Sequence, residues 1–165
     1  MKKYTLPYFG DIEPNEGDDF FETDTIVKEN DLNLSIDFEG EYPTKESLDS
    51  VKQFLSQLPV CLEKARYYID QEFSKVPSFV KDYISFFKET MEENGDIEAY
   101  VDENDSSKSI EERLLNRFYL LRISICPNGD TFAILDYTID DEYTDDLLVV
   151  YLTDKGEPYG MTIES

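Results

Sequence analysis

Leu32, Leu34, Ile36 and Phe38 alternate strictly with Asn33, Ser35, Asp37 and Glu39. An extended strand turns that order into one dry face and one wet face, because successive strand residues point to opposite sides of a sheet. Residues 20–28 keep the same period through Phe21, Thr23, Thr25 and Val27, and Glu29-Asn30-Asp31 reads as the hairpin turn between the two strands. A shorter strand is expected over Tyr4-Thr5-Leu6-Pro7-Tyr8-Phe9-Gly10, held to an edge or an end by Pro7, with an acidic loop over 11–18.

Beyond Gly40 and Pro43 the period lengthens. Thr44 serves as an N-cap before Leu48, Val51, Phe54, Leu55 and Leu58, which recur three and four residues apart. Pro59 ends or kinks that helix, and helical spacing resumes through Leu62, Ala65, Ile69 and Phe73. Pro77-Ser78 opens a third helical stretch with Val80, Tyr83, Ile84, Phe87 and Met91 on one face and Gly95 as its stop. Residues 94–108 are polar and predict a mobile acidic loop. Ser109-Ile110-Glu111-Glu112 forms a capping box opening a short helix to about Phe118.

Period two then returns. Leu121, Ile123 and Ile125 alternate, Pro127-Asn128-Gly129-Asp130 turns the chain, and a strand runs from Phe132 to Ile139. After an acidic link over 140–146, Leu147 to Leu152 is apolar on both faces and belongs centrally in a sheet. A turn at Asp154-Lys155-Gly156-Glu157 leads to a last strand carrying Tyr159, Met161 and Ile163. Strands, helices, then strands predict an α+β fold in one domain over 1–165. Its largely antiparallel sheet is built from the N-terminal and C-terminal strands, with three to four central helices packed on one face.

Charge narrows the function. Thirty-eight Asp and Glu face fifteen Lys and Arg, with no histidine, giving −23 over 165 residues. Such a surface repels nucleic acid and anionic lipid and attracts cationic partners. Missing histidine removes the commonest metal ligand and the usual general base near neutral pH. An aromatic fraction of 14% separates the chain from disordered acidic tails. No apolar run approaches the roughly 18 residues of a membrane helix. Lys2-Lys3 is followed by Tyr-Thr-Leu-Pro, which is no apolar signal segment. Cys61 and Cys126 lack paired spacing and read as buried free thiols, so a cytoplasmic setting is expected. The scattered glycines form no phosphate cradle, no serine elbow is present, and two lone cysteines cannot make a zinc site, so no cofactor is implied.

The densest acidic run is Asp136-Tyr137-Thr138-Ile139-Asp140-Asp141-Glu142-Tyr143-Thr144-Asp145-Asp146. It supports a hard-cation site on Asp136, Asp140, Asp141 and Asp145, since Ca²⁺ and Mg²⁺ take several converging carboxylate oxygens. Paired carboxylates doing acid–base work, as in a carboxylate-based hydrolase, are a second reading. The third is a solvated inter-strand loop beside one inward-facing aspartate. Asp136 shares strand parity with Phe132 and Ile134, so burial of that face demands a partner such as Arg122 on the neighbouring strand. The run beginning at Asp102 resembles the start of a calcium loop but places Ser107 where the tight-turn glycine belongs and Arg113 where the bidentate glutamate belongs. Tyr67 and Phe86 fall off the apolar helix faces marked by Tyr68 and Phe87, and are expected to fill a second core face.

Leu6-Pro7-Tyr8-Phe9-Gly10 and Asp136-Tyr137-Thr138-Ile139, with Thr144-Asp145, Leu147-Leu148-Val149-Val150, Gly156 and Met161-Thr162-Ile163-Glu164-Ser165, carry a resemblance. They resemble a bacterial family of small acidic proteins catalogued only as domain of unknown function two-thousand-four. The resemblance spans most of the chain, is strongest over 119–165, and does not extend through 59–108. It implies a bacterial, cytoplasmic setting and transfers no catalytic residue.

The residues favour a non-enzymatic acidic interaction domain that presents clustered carboxylates on one exterior flank to a basic protein. One version is an immunity-type protein that neutralises a cationic toxin. Asp140, Asp141, Glu142, Asp145 and Asp146 are the expected contacts, with Tyr143 as their aromatic anchor.

Overall fold

In the computed structural model, which describes residues 3–101 and 107–165, the two alternating N-terminal stretches become neighbouring strands of a six-stranded sheet. Ahead of them, β1 (Tyr4–Leu6) and β2 (Gly10–Ile12) pair only with each other. The single strand expected over 4–10 is therefore a tight hairpin, and part of the expected acidic loop is strand. Pro7 has no N–H for a ladder, and the chain reverses with Tyr8 at φ 69° and Gly10 at φ 71°.

The large sheet runs in the spatial order β3 (Phe20–Val27), β4 (Asn30–Asp37), β5 (Tyr119–Ile125), β6 (Ala133–Thr138), β7 (Leu147–Leu152), β8 (Pro158–Glu164). Every junction is antiparallel except β4–β5, which is parallel. A parallel junction needs a long crossover. Here that crossover is the helical middle of the chain: α1 (Lys45–Ser56), α2 (Leu58–Phe73), α3 (Phe79–Asn94), a 3-10 turn at Ile97–Ala99, and α4 (Ile110–Leu115). The fold is α+β, with the N-terminal and C-terminal strands meeting in one largely antiparallel sheet.

Caps set the helix limits. Thr44 Oγ1 accepts from the Ser47 N–H, and Ser78 Oγ accepts from the Lys81 N–H. Pro59 lies in the first turn of α2, where its missing N–H is harmless, so it separates α1 from α2. Gly95 closes α3 at φ 75°. Ser109 and Glu112 form the reciprocal capping box of α4, which stops at Leu115, short of Phe118.

One side of the sheet and the helices share a single core. Leu34, Ile36, Ile123, Ile125, Leu135, Leu148 and Val150 are buried with Leu48, Val51, Leu58, Ile69, Ile84 and Met91. Each such aliphatic side chain contributes about 1.5–3 kcal/mol. A β-bulge between Leu120 and Arg122 breaks the alternation expected from Leu121. Leu120 takes the buried place and Leu121 turns toward the other side of the sheet.

Three further expectations change. The β3–β4 turn is Lys28-Glu29, one residue earlier than the sequence suggests, with Val27 opposite Asn30. Tyr67 and Phe86 fill no second core; they are 65% and 57% exposed. The stretch expected as a loose loop over 94–108 holds a 3-10 turn, and Tyr100 packs edge-on against Phe87 at 5.4 Å between ring centroids. Residues 102–106, with most of the calcium-loop lookalike, lie outside the described residues. No helix among the described residues is long and apolar enough to cross a membrane.

Candidate partner-binding site

Between β6 and β7 the acidic link 140–146 folds on itself first. Asp140 Oδ1 accepts from the Glu142 N–H at 2.9 Å, and the Asp140 carbonyl accepts from the N–H groups of Tyr143 and Thr144 at 3.3 and 3.2 Å. Thr144 Oγ1 then accepts from the Asp146 N–H at 3.1 Å. An aspartate side chain that satisfies its own turn in this way sets the local shape of the loop.

Tyrosines fasten this turn to the body of the protein. The Tyr100 hydroxyl donates to Asp140 Oδ2 at 2.5 Å, and the Tyr119 hydroxyl donates to the Asp141 carboxylate. From α3, the Tyr83 hydroxyl donates to the Asp146 carbonyl at 2.9 Å. Burial, reinforced by the neighbouring carboxylates, pushes the Tyr100 and Tyr119 hydroxyls up to about 12. Asp140 and Asp141 are thus anchors of the loop. Tyr143, expected as the outward anchor, is half-buried, its ring 5.8 Å from Phe87 and 6.4 Å from Tyr100.

Asp141, Glu142 and Asp145 are exposed, the first with one carboxylate oxygen held by Tyr119, and Asp146 is partly so. Asp145 and Asp146 line a cleft of about 390 Å³ together with Phe86, Thr90 and Thr144. Phe86 is the exposed aromatic lining this cleft. Its signal was its phase: it stands off the face shared by Val80, Tyr83, Ile84, Phe87 and Met91, which is buried. Among the described residues, no carboxylate of 140–146 forms an ion pair, whereas Lys28, Lys64, Lys75 and Lys88 are paired elsewhere.

Asp136 belongs to a different place. It lies on the sheet face away from the helices, 5% exposed, and its Oδ2 accepts from Arg122 Nε at 2.6 Å. That is the cross-strand partner the burial argument demands. The structure therefore splits the acidic run: Asp136 stands in the sheet, and the other carboxylates sit in the loop. Among the described residues no group of three or more Asp, Glu or Cys side chains is gathered so as to hold a metal ion. Cys61 and Cys126 are both free thiols, pushed above their ordinary range chiefly by burial.

Carboxylates also gather away from this loop. Glu16, Asp19 and Glu41 line a separate open hollow of about 800 Å³ beside Tyr42. Charge alone does not single out a surface; the loop combines unpaired carboxylates with the exposed Phe86 ring and with a backbone held by Tyr83, Tyr100 and Tyr119.

No family model matches the chain, and no curated protein or solved structure does so either.

Proposed function

We propose that this protein is a non-enzymatic acidic interaction domain whose 140–146 loop and Phe86 receive a cationic side chain of a basic protein partner. The observation that carries this reading is the cleft in which the 57%-exposed Phe86 ring borders Asp145 and Asp146. An aromatic face and a carboxylate together suit an arginine or lysine, since the ring attracts the cation through its quadrupole and the carboxylate through its charge. Tyr83, Tyr100 and Tyr119 hold the loop in place beforehand, which lowers the ordering cost of association.

In its concrete form this is an immunity-type protein in a bacterial cytoplasm, covering the phosphate-binding cleft of a cationic toxin. The high negative charge supports it by speeding encounter with basic surfaces and disfavouring nucleic acid and anionic membrane. The resemblance to the small acidic bacterial family is compatible with that setting.

Affinity capture from the source cytoplasm tests the reading. The wild-type chain should retain a basic protein at low salt and release it at high salt, and Asp145→Lys/Asp146→Lys should retain none. Equal retention by both forms contradicts it.

A further inference from the structure

The sheet face opposite the helices has a hollow of about 600 Å³, floored by Ser35, Ser124, Ile134 and the Arg122–Asp136 pair. A second hollow of about 460 Å³ shares Asn33 and Leu121 with the first, so the two form one trough. Leu121 lines it because the β5 bulge turns that side chain outward.

The rims of this trough are acidic, and their carboxylates are aimed. Asn33 Nδ2 donates to Glu22 Oε1 at 2.8 Å and to Asp24 Oδ1 at 3.0 Å along the β3 side. Along the β8 side the Tyr151 hydroxyl donates to Glu164 Oε1 at 3.3 Å. Both donors are neutral, so they orient the carboxylates without cancelling their charge. Among the described residues, Glu22, Asp24 and Glu164 form no ion pair. Arg122, the one cation lining the hollow, is committed to Asp136.

We propose that this trough docks a basic amphipathic helix of a partner protein. The apolar stripe of the helix meets Leu121 and Ile134, and its cationic flanks meet Glu22 and Asp24 on one rim and Glu164 on the other. Charge complementarity selects this occupant. A second copy of the chain would bring its own −23 against the same carboxylates. Size agrees: six strands at about 4.8 Å spacing put β3 and β8 about 24 Å apart, which leaves room between the rims for a helix about 10–12 Å across. The trough shares no lining residue with the Phe86 cleft, although Ser165 of that cleft follows Glu164, so the floor residues Ser35, Ser124 and Ile134 are the ones that tell the two sites apart.

Titration of the isotope-labelled full chain with a synthetic peptide of about 14 residues, leucine on one helical face and lysine on the other, tests the proposal. The amide resonances of Ser35, Ser124 and Ile134 should shift. A matching leucine–glutamate peptide should leave them in place. Glu22→Lys/Glu164→Lys should weaken the face response about tenfold or more. Glu46→Lys/Glu89→Lys, two exposed helix carboxylates with the same change in net charge, should weaken it about threefold or less. Equal weakening by the two double variants, binding of the acidic peptide, or self-association through this face in sedimentation would each overturn the proposal. Shifts confined to Phe86 and 140–146 would also overturn it, while leaving the loop reading intact. Shifts on the sheet face without any at the loop would support it and count against the loop.

Discussion

Arg122 Nε donates to Asp136 Oδ2 at 2.6 Å across the β5–β6 junction, joining a half-exposed guanidinium to an aspartate that is 5% exposed. The two partners are unequal. Removing Arg122 strands a buried charge, whereas neutralising Asp136 leaves an arginine that water can still solvate. Arg122→Ala should therefore cost about 1–2 kcal/mol, below the 3–5 kcal/mol of a fully buried pair because the arginine is already partly hydrated. Asp136→Asn should cost less, and the double variant should be more stable than the two single losses added together. Urea unfolding of the four forms provides the cycle; strict additivity would show that the pair is not coupled.

Glu29 occupies φ 67° and Lys28 φ 48° in the two-residue β3–β4 turn. Both angles suit a hairpin turn that favours Asn-Gly, and neither suits a lysine or a glutamate. Glu29→Gly should raise stability by about 0.5–1 kcal/mol, seen as a higher urea midpoint at unchanged slope. A lower midpoint would contradict the turn geometry. Lys28 is left alone because it pairs with Glu63.

Gly156 is a packing requirement as well as a turn residue. A Cβ placed there would lie 2.1 Å from Cys61 Sγ, and the backbone stands at φ +75°. Gly156→Ala should cost about 2–4 kcal/mol, combining the clash with left-handed strain. Pairing it with Cys61→Ala should recover the steric share only. Full recovery, or none, in thermal melts would mean that the cost lies elsewhere.

Tyr100 and Tyr119 give the loop an alkaline limit. Their hydroxyls ionise near 12 in the folded chain against 10.0 when free, because burial and the adjoining carboxylates oppose the phenolate. A folded-state value raised in this way contributes stability that is whole below pH 10 and is lost as pH climbs towards 12. Absorbance of tyrosinate should show a late-ionising fraction. Tyr100→Phe should remove part of it and loosen 140–146 in hydrogen exchange. Ionisation of every tyrosine near pH 10 with the fold intact would contradict these contacts.

Much of the architecture is legible in the residues. Leu32 to Phe38, the caps at Thr44, Ser78 and Ser109, and the stop at Gly95 place their elements because each works through its neighbours in the chain. Two kinds of feature escape such reading. Pairing register is one: the bulge that turns Leu121 to the other sheet face depends on how β5 meets β6, and the parallel β4–β5 junction depends on where the helices return the chain. The other is layer count. Phe86 and Tyr67 lie off the buried helix faces, and periodicity cannot tell whether another layer covers them. In the acidic run, composition gives equal weight to every carboxylate. The fold divides them into one sheet aspartate, two loop aspartates held by tyrosines, the exposed Glu142, and Asp145 and Asp146 beside Phe86.

The most direct measurement is the association rate of the captured basic partner, followed by rapid mixing as salt rises from about 50 to 500 mM. For the wild-type chain the rate should fall about tenfold or more, because screening removes the attraction to Glu142, Asp145 and Asp146. Phe86→Ala should keep that salt dependence but dissociate faster, and Asp145→Lys/Asp146→Lys should associate slowly at every salt concentration. A rate indifferent to salt, or one unchanged by reversing Asp145 and Asp146, would contradict the acidic loop as the docking site.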